Sequence, residues 1–295
     1  MEEKIKIRLC HDTIFKSVFL REKRALLQAI YDITKLNEVM SFEEVITGYE
    51  LEPYRLNGKI NKSDMLVKLG KNYYLNIEVN YRHEKDVIYR NSLQLFRICA
   101  QITESGLNDK ELSYKKVGQL NFNTFSNNNN KELQKGIYAD DISGDIINDM
   151  VTFWNLDIVK CYKRVYNNIK EAYKLPKEVR WGAILYMYLD DIEDIAKVIG
   201  DDLLSMGEKD RFINRIKEVK DDKRIIQEWM VEANNKMREE NVIKTAREEG
   251  IEQGIDESKN EIILNMLSEG SDYSFISKVT GKTINEIKEI EINNK

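Results

Sequence analysis

Two carboxylates at hairpin spacing are the residues of this chain best placed to do chemistry. From Lys62 to Asn80, apolar and polar residues alternate with period two on both sides of Gly70-Lys71-Asn72. That is the strand signature, broken by a three-residue loop whose residues tolerate positive φ. Met65, Val67 and Leu69 share one face with Tyr73, Leu75, Ile77 and Val79, while Asp64, Leu66 and Lys68 share the other with Tyr74, Asn76, Glu78 and Asn80. If Leu69 pairs with Tyr73, the register sets Asp64 opposite Glu78, with Cβ atoms roughly 4.5–5.5 Å apart. Carboxylates that close repel one another. A hard divalent cation such as Mg²⁺, which takes one or two carboxylates and keeps several waters, removes the penalty. A register shifted by two residues would instead separate the pair and leave an ordinary wet strand face.

The surroundings suit an anionic substrate. The chain as a whole carries a net charge of −5, which argues against a protein that coats DNA non-specifically. Between Pro53 and Arg97, however, nine basic residues face four acidic ones, and two of those four are Asp64 and Glu78. A basic patch around a metal pair fits a phosphodiester, although solvated strand and helix faces carry similar runs. Lys62, Arg82 and Arg90 are the bases expected to meet the substrate. Arg90, Gln94 and Arg97 recur at i, i+4 and i+7, one stripe of a helix that meets either phosphates or solvent. His83 has no ligand partner at metal spacing and reads as a surface residue. Asp12 reads as a helix cap, with site carboxylate as the alternative, and Glu50 can face either way.

Elements that must position these residues are legible at low resolution. Ile14, Phe15, Val18 and Phe19 form the apolar face of a first helix, and Leu26, Leu27, Ile30 and Ile33 that of a second over about 21–33. A strand is expected over 45–54. After the hairpin, Asp86 caps a helix to about Thr103 with Ile88, Leu93, Phe96, Ala100 and Ile102 as apolar positions. Strands follow over 116–122 and within 146–159, separated by a polar loop containing Asn127 to Asn130. From Cys161 onward the period is helical throughout. A long charged helix spans 231–267, with Ile251, Ile255 and Ile262 as a narrow seam for a partner helix. Ser271 or Asp272, then Gly281 and the Thr283–Glu286 capping box, mark a helical hairpin at the end. Three regions result: 1–160, 161–230 and 231–295.

Composition sets outer bounds. The 295 residues are 42% hydrophobic and 33% charged, with two prolines and 14 glycines, which favours long helices over a turn-rich all-β fold. Cys10, Cys99 and Cys161 give neither a disulfide framework nor zinc spacing. With no apolar run of membrane length and no signal-peptide core, the expectation is a cytoplasmic protein with no membrane partner.

Several short strings, in order, resemble one family. Gly58 to Asp64 followed by Asn76-Ile77-Glu78-Val79-Asn80 is similar to the hairpin of the PD-(D/E)xK nuclease superfamily, in its recombination-promoting nuclease and putative transposase branch. Asp12-Thr13-Ile14-Phe15-Lys16-Ser17-Val18-Phe19 resembles that branch's D-x-x-F-K-x-x-F opening. Tyr89-Arg90 and Gln94-Leu95 fall where the branch has a helix, and Glu249 to Gly254 is similar to its glutamate–glycine run. The resemblance implies an α/β restriction-endonuclease-like αβββαβ core with a mixed sheet, followed by an all-helical C-terminal region. It implies an Mg²⁺-dependent DNA endonuclease, with Mn²⁺ as an alternative metal, and a role in recombination or a mobile element. Asp64 and Glu78 would hold the metal, Asn80 would complete the catalytic set, and Lys62, Arg82 and Arg90 would contact DNA. The partners expected are DNA and a second copy of the chain through the C-terminal helices. Asn80 departs from the pattern, which ends in Lys and in this branch often Gln. Asn can hydrogen-bond a water but brings no charge. Lys62 or Lys68 is the expected source of a replacement charge. The alternative is a protein that kept the fold and lost catalysis, binding DNA or a partner.

Overall fold

A computed structural model of the chain describes residues 6–51, 61–81, 87–102, 111, 114–125, 131–139 and 146–293. They fall into two compact units, Met1–Trp229 and Met230–Lys295. The first is an α/β unit that opens with α1 (Asp12–Phe19) and α2 (Lys23–Thr34). Its strands are β1 (Phe42–Thr47), β2 (Glu50–Leu51), β3 (Asn61–Lys62), β4 (Met65–Leu69), β5 (Tyr73–Asn80), β6 (Lys116–Asn123), β7 (Leu133–Ala139) and β8 (Ile146–Asp157), and α3 (Val87–Ile102) joins β5 to β6. Six strands form one mixed sheet in the order β1-β4-β5-β6-β8-β7, while β2 and β3 make a separate two-stranded ladder. β5, β6 and β8 run parallel at the centre, and the β1, β4 and β7 pairings are antiparallel.

The first strand expected over 45–54 is thus two pieces, β1 and β2, with residues 52–60 outside the described set. β7 was not expected. Gln134, Lys135 and Gly136 break the apolar alternation that announces a strand, because β7 is an edge with little to bury.

One sheet face builds the main core. Met65, Val67, Leu75, Ile77, Leu120, Trp154 and Leu156 are buried there, and α1 packs Phe15 against Phe19 and Phe122 with ring centroids 4.7 and 6.0 Å apart. Behind it lie α4 (Ile158–Tyr166), α5 (Lys177–Tyr186), α6 (Ile192–Ile199) and α7 (Met206–Asp221). Phe212 of α7 meets both Phe19 and Trp181. Arg180 of α5 is fully buried and caps α6: Nε donates to the Val198 carbonyl at 2.8 Å, Nη2 to Ile199 at 2.6 Å, and Nη1 pairs with Asp202 at 2.7 Å. A guanidinium suits the terminal carbonyls and dipole of a helix C-terminus. Arg180→Leu should therefore cost about 2–4 kcal/mol, as two buried carbonyls lose their donors. Denaturant unfolding measures it, and a loss under roughly 0.5 kcal/mol would contradict the assignment.

α3 covers the opposite face. Leu95 and Ile98 pack on Leu66 and Val117, but Leu93, Phe96 and Ala100, expected inward, are exposed. Their places are taken by Asn91 and Gln94, both buried. The physical reason lies beneath the helix. The side chains of Asn76, Glu78 and Asn80 share this face with Gln119, Asn121 and Asn123 in the parallel register, and all are buried, so the helix turns its amides toward theirs.

The second unit takes most of α8 (Lys223–Ser268), then α9 (Tyr273–Thr280) and α10 (Ile284–Asn293). Ile263, Ile276 and Ile287 form its small core. The capping signals are used as expected. Asp272 accepts from the Phe275 N–H at 3.0 Å, Gly281 takes φ 74°, and Glu286 accepts from the Thr283 N–H and hydroxyl, each at 2.7 Å. Ile251, Ile255 and Ile262 are exposed. No helix among the described residues is long and apolar enough to cross a membrane.

Candidate metal centre

Leu69 pairs with Tyr73, and the register continues to Met65 opposite Ile77, so Asp64 follows opposite Glu78. Each carboxylate is fastened to the other's strand. The Asp64 N–H donates to Glu78 Oε1 at 3.3 Å, and the Val79 N–H donates to Asp64 Oδ2 at 3.1 Å. β4 starts at Met65, and the Asp64 side chain takes the N–H of Val79 that a longer strand would have paired. Asn76 Nδ2 adds a bond to Glu78 Oε1 at 3.1 Å, and the Ser63 hydroxyl holds Asn76 Oδ1.

The face expected to be wet is dry: Glu78 is only 7% exposed. Burial, and then the negative charge of Asp64, push its pKa up to about 8. A raised carboxyl pKa contributes stability that is complete below the unfolded value near 4.5 and is lost as pH rises through about 8. In EDTA, the melting temperature of the parent should fall between pH 5 and pH 9 more steeply than that of Glu78→Gln. The difference should reach a few kcal/mol at pH 9. Parallel pH profiles for the two proteins would show that Glu78 ionises normally.

Sequence reading missed the cation at this site. Lys16 of α1 places Nζ 2.8 Å from Asp12 Oδ1 and 3.9 Å from Asp64 Oδ1, bridging the two carboxylates. Asp12 is not the helix cap that the sequence implies. His11 occupies the cap position, and Asp12 lies in the first turn, where its partner is Lys16 at i+4. That i, i+4 spacing, and its place as the lysine of the D-x-x-F-K-x-x-F string, are the signals for Lys16 in the sequence. Lys68, one of the two expected replacement charges, is engaged elsewhere, 2.8 Å from Glu43 on β1. α1 is held at both ends, by Tyr81 just beyond β5 at its start and by α7 at its end. The Tyr81 hydroxyl donates to the Cys10 carbonyl, and the Tyr81 ring stacks on His11 at 5.3 Å. Arg215 of α7 donates to the Ser17 carbonyl through Nε and Nη2 at 3.0 and 2.8 Å.

Asn80 is 3% exposed, and both ends of its amide are committed: Nδ2 donates to Asn123 Oδ1 at 2.9 Å, and Oδ1 accepts from Arg90 Nη2 at 3.2 Å. Arg90 is the expected DNA contact that the structure brings to the pair, from an exposed position on α3. Gln94 does not share a solvent stripe with it, being buried. Glu50 lies in the β2–β3 ladder opposite Lys62. Arg82, His83 and Asp86 lie outside the described residues, as does the side chain of Lys62.

Among the described residues, no three His, Cys, Asp or Glu side chains gather in a metal-binding group, and Asp64 and Glu78 stand as a pair. Two hard carboxylates match the ligand set of Mg²⁺ or Mn²⁺ better than that of zinc or copper. Burial and then the Asp64 charge raise the Glu78 pKa, and a divalent cation would offset the like-charge part. The residues fit the ion. Compared with family models, curated proteins and solved structures, the chain matches none.

Proposed function

We propose that the chain is a metal-dependent DNA endonuclease built on a restriction-endonuclease-like core. The observation that carries the reading is the reciprocal fastening of Asp64 and Glu78 at one end of the central parallel strands, with Lys16 alongside. Open α/β sheets bind ligands just beyond the carboxyl ends of their parallel strands, which is where Glu78 and Asn80 stand. Bound there, a divalent cation would lower the pKa of a coordinated water and offset charge on the phosphate.

The chain's own groups divide the rest. Asp64 and Glu78 hold the ion. Lys16 supplies the positive charge that Asn80 lacks, close enough to steady a water or a phosphate oxygen. Asn80 anchors the Arg90 guanidinium, which can meet a neighbouring phosphate. Lys62 and Arg82 are the further expected contacts to the strand, and the exposed isoleucines of α8 are the expected route to a second copy.

Nicking of supercoiled plasmid in Mg²⁺ or Mn²⁺, against an EDTA control, tests the reading. Metal-dependent nicking by the purified chain is expected. Salt-dependent DNA binding without nicking in either metal would instead favour a catalytically silent binding protein, the reading that Asn80 supports.

A further inference from the structure

We propose that Tyr81 is a positioning residue of the metal centre: it ties the start of α1 to the end of β5 and so sets how far Lys16 stands from Asp64. The inference rests on the nuclease reading, in which Lys16 supplies the charge, and adds a residue that acts through it. Tyr81 follows Asn80 directly and lies three residues beyond Glu78. Its backbone is clamped to the neighbouring parallel strand. Thr124, just past β6, donates its N–H to the Asn80 carbonyl at 2.9 Å and its hydroxyl to the Tyr81 carbonyl at 2.8 Å. Tyr81 therefore keeps its place relative to the strand that carries Glu78.

From that base the side chain reaches α1. The hydroxyl donates to the Cys10 carbonyl, and the ring lies nearly parallel to that of His11, with centroids 5.3 Å apart and planes 13° off. His11 is the cap residue of α1, and Cys10 is the buried residue before it. His11 also makes an edge-type contact with the buried Trp229, at 5.4 Å and 64°, so the ring on which Tyr81 stacks is itself held.

The distances at Lys16 give this link its consequence. Ile14, Phe15, Val18 and Phe19 bury the apolar side of α1, but apolar contact is non-directional and holds the helix down without fixing where its first turn lies. A hydrogen bond and a ring stack are directional and do fix it. Lys16 Nζ stands 3.9 Å from Asp64 Oδ1, near the outer limit of an ion pair at about 4 Å, and 2.8 Å from Asp12 on its own helix. Asp12 travels with α1, so a shift of the helix spares that pair and alters the reach to Asp64. Arg215 still grips the Ser17 carbonyl, so loss of the Tyr81 hydroxyl lets the start of α1 swing without freeing its end. A misplacement of about 1 Å at a reacting centre costs up to about 100-fold in rate.

A double-mutant cycle on the full chain tests this. Tyr81→Phe should lower kcat for plasmid nicking about ten-fold, with KM for DNA within about two-fold. Its Mn²⁺ affinity should match the parent's, because Asp64 and Glu78 remain fastened to each other. In the Lys16→Gln background the same substitution should cost less than about two-fold, since the residue it acts through is gone. Independently of cleavage, the side-chain Cε NMR signal of Lys16 in the metal-free chain should move in Tyr81→Phe, while that of Lys68 stays in place. An unchanged kcat, a loss that persists in full without Lys16, or a Lys16 signal that does not move would overturn the positioning role and spare the nuclease. A Lys16 signal that moves in a chain that never nicks would do the reverse.

Discussion

Asp64→Asn and Glu78→Gln are each expected to lower the plasmid-nicking rate by roughly a thousand-fold or more, with DNA affinity changed by less than about five-fold. The size follows from the ligand count. The described protein offers two carboxylates, so losing one removes half of what holds the ion. The losses should not add, because the two residues act as one unit, and the double variant should be little worse than the worse single variant. Glu78→Gln has an opposite effect on the fold. It relieves a buried like-charge pair, so the metal-free variant should be the more stable protein above pH 8. Loss of rate together with gain of stability separates a site residue from a structural one. A Glu78→Gln protein that nicks at the parent rate would refute the assignment.

Lys16→Gln should lower kcat by about 10²–10³-fold while KM for DNA moves less than about three-fold. Its ammonium group sits between Asp12 and Asp64, so the charge it contributes is felt where the phosphate would develop negative charge, and little of it reaches the rest of the DNA. Lys16→Arg keeps the charge but not the geometry of a compact ammonium, and should recover part of the rate. A purely structural salt bridge predicts a different pattern, a lower melting temperature in Lys16→Gln with kcat unchanged. Lys68→Gln serves as the control. Its partner is Glu43, so no loss of rate is expected.

The hairpin was legible because its two signals agree. The alternation runs through both strands, and the three-residue loop with Gly70 at φ 65° leaves one comfortable register. Apolar periodicity likewise located α1 and α2 to within a few residues. What period two cannot tell is whether the polar face of a strand is wet or buried. Asn76, Glu78, Asn121 and Asn123 look like solvent-facing residues in sequence and lie under a helix in the fold. The same blindness misplaced the inner face of α3, where the expected apolar stripe of Leu93 and Phe96 faces out and amides face in. Lys16 was hidden for another reason. It lies 48 positions from Asp64 in sequence, and only the packing of α1 on the sheet brings them together. Charge complementarity between distant segments leaves no local pattern to read.

The account stands on a divalent ion shared by the two carboxylates, and calorimetric titration of Mn²⁺ or Mg²⁺ into the metal-free chain at pH 8 measures that directly. The expected result is one ion per chain for the parent, with binding lost or weakened at least about 30-fold in both Asp64→Asn and Glu78→Gln, and retained in Asn80→Ala. Binding of the same strength and stoichiometry in parent and both carboxylate variants would contradict it.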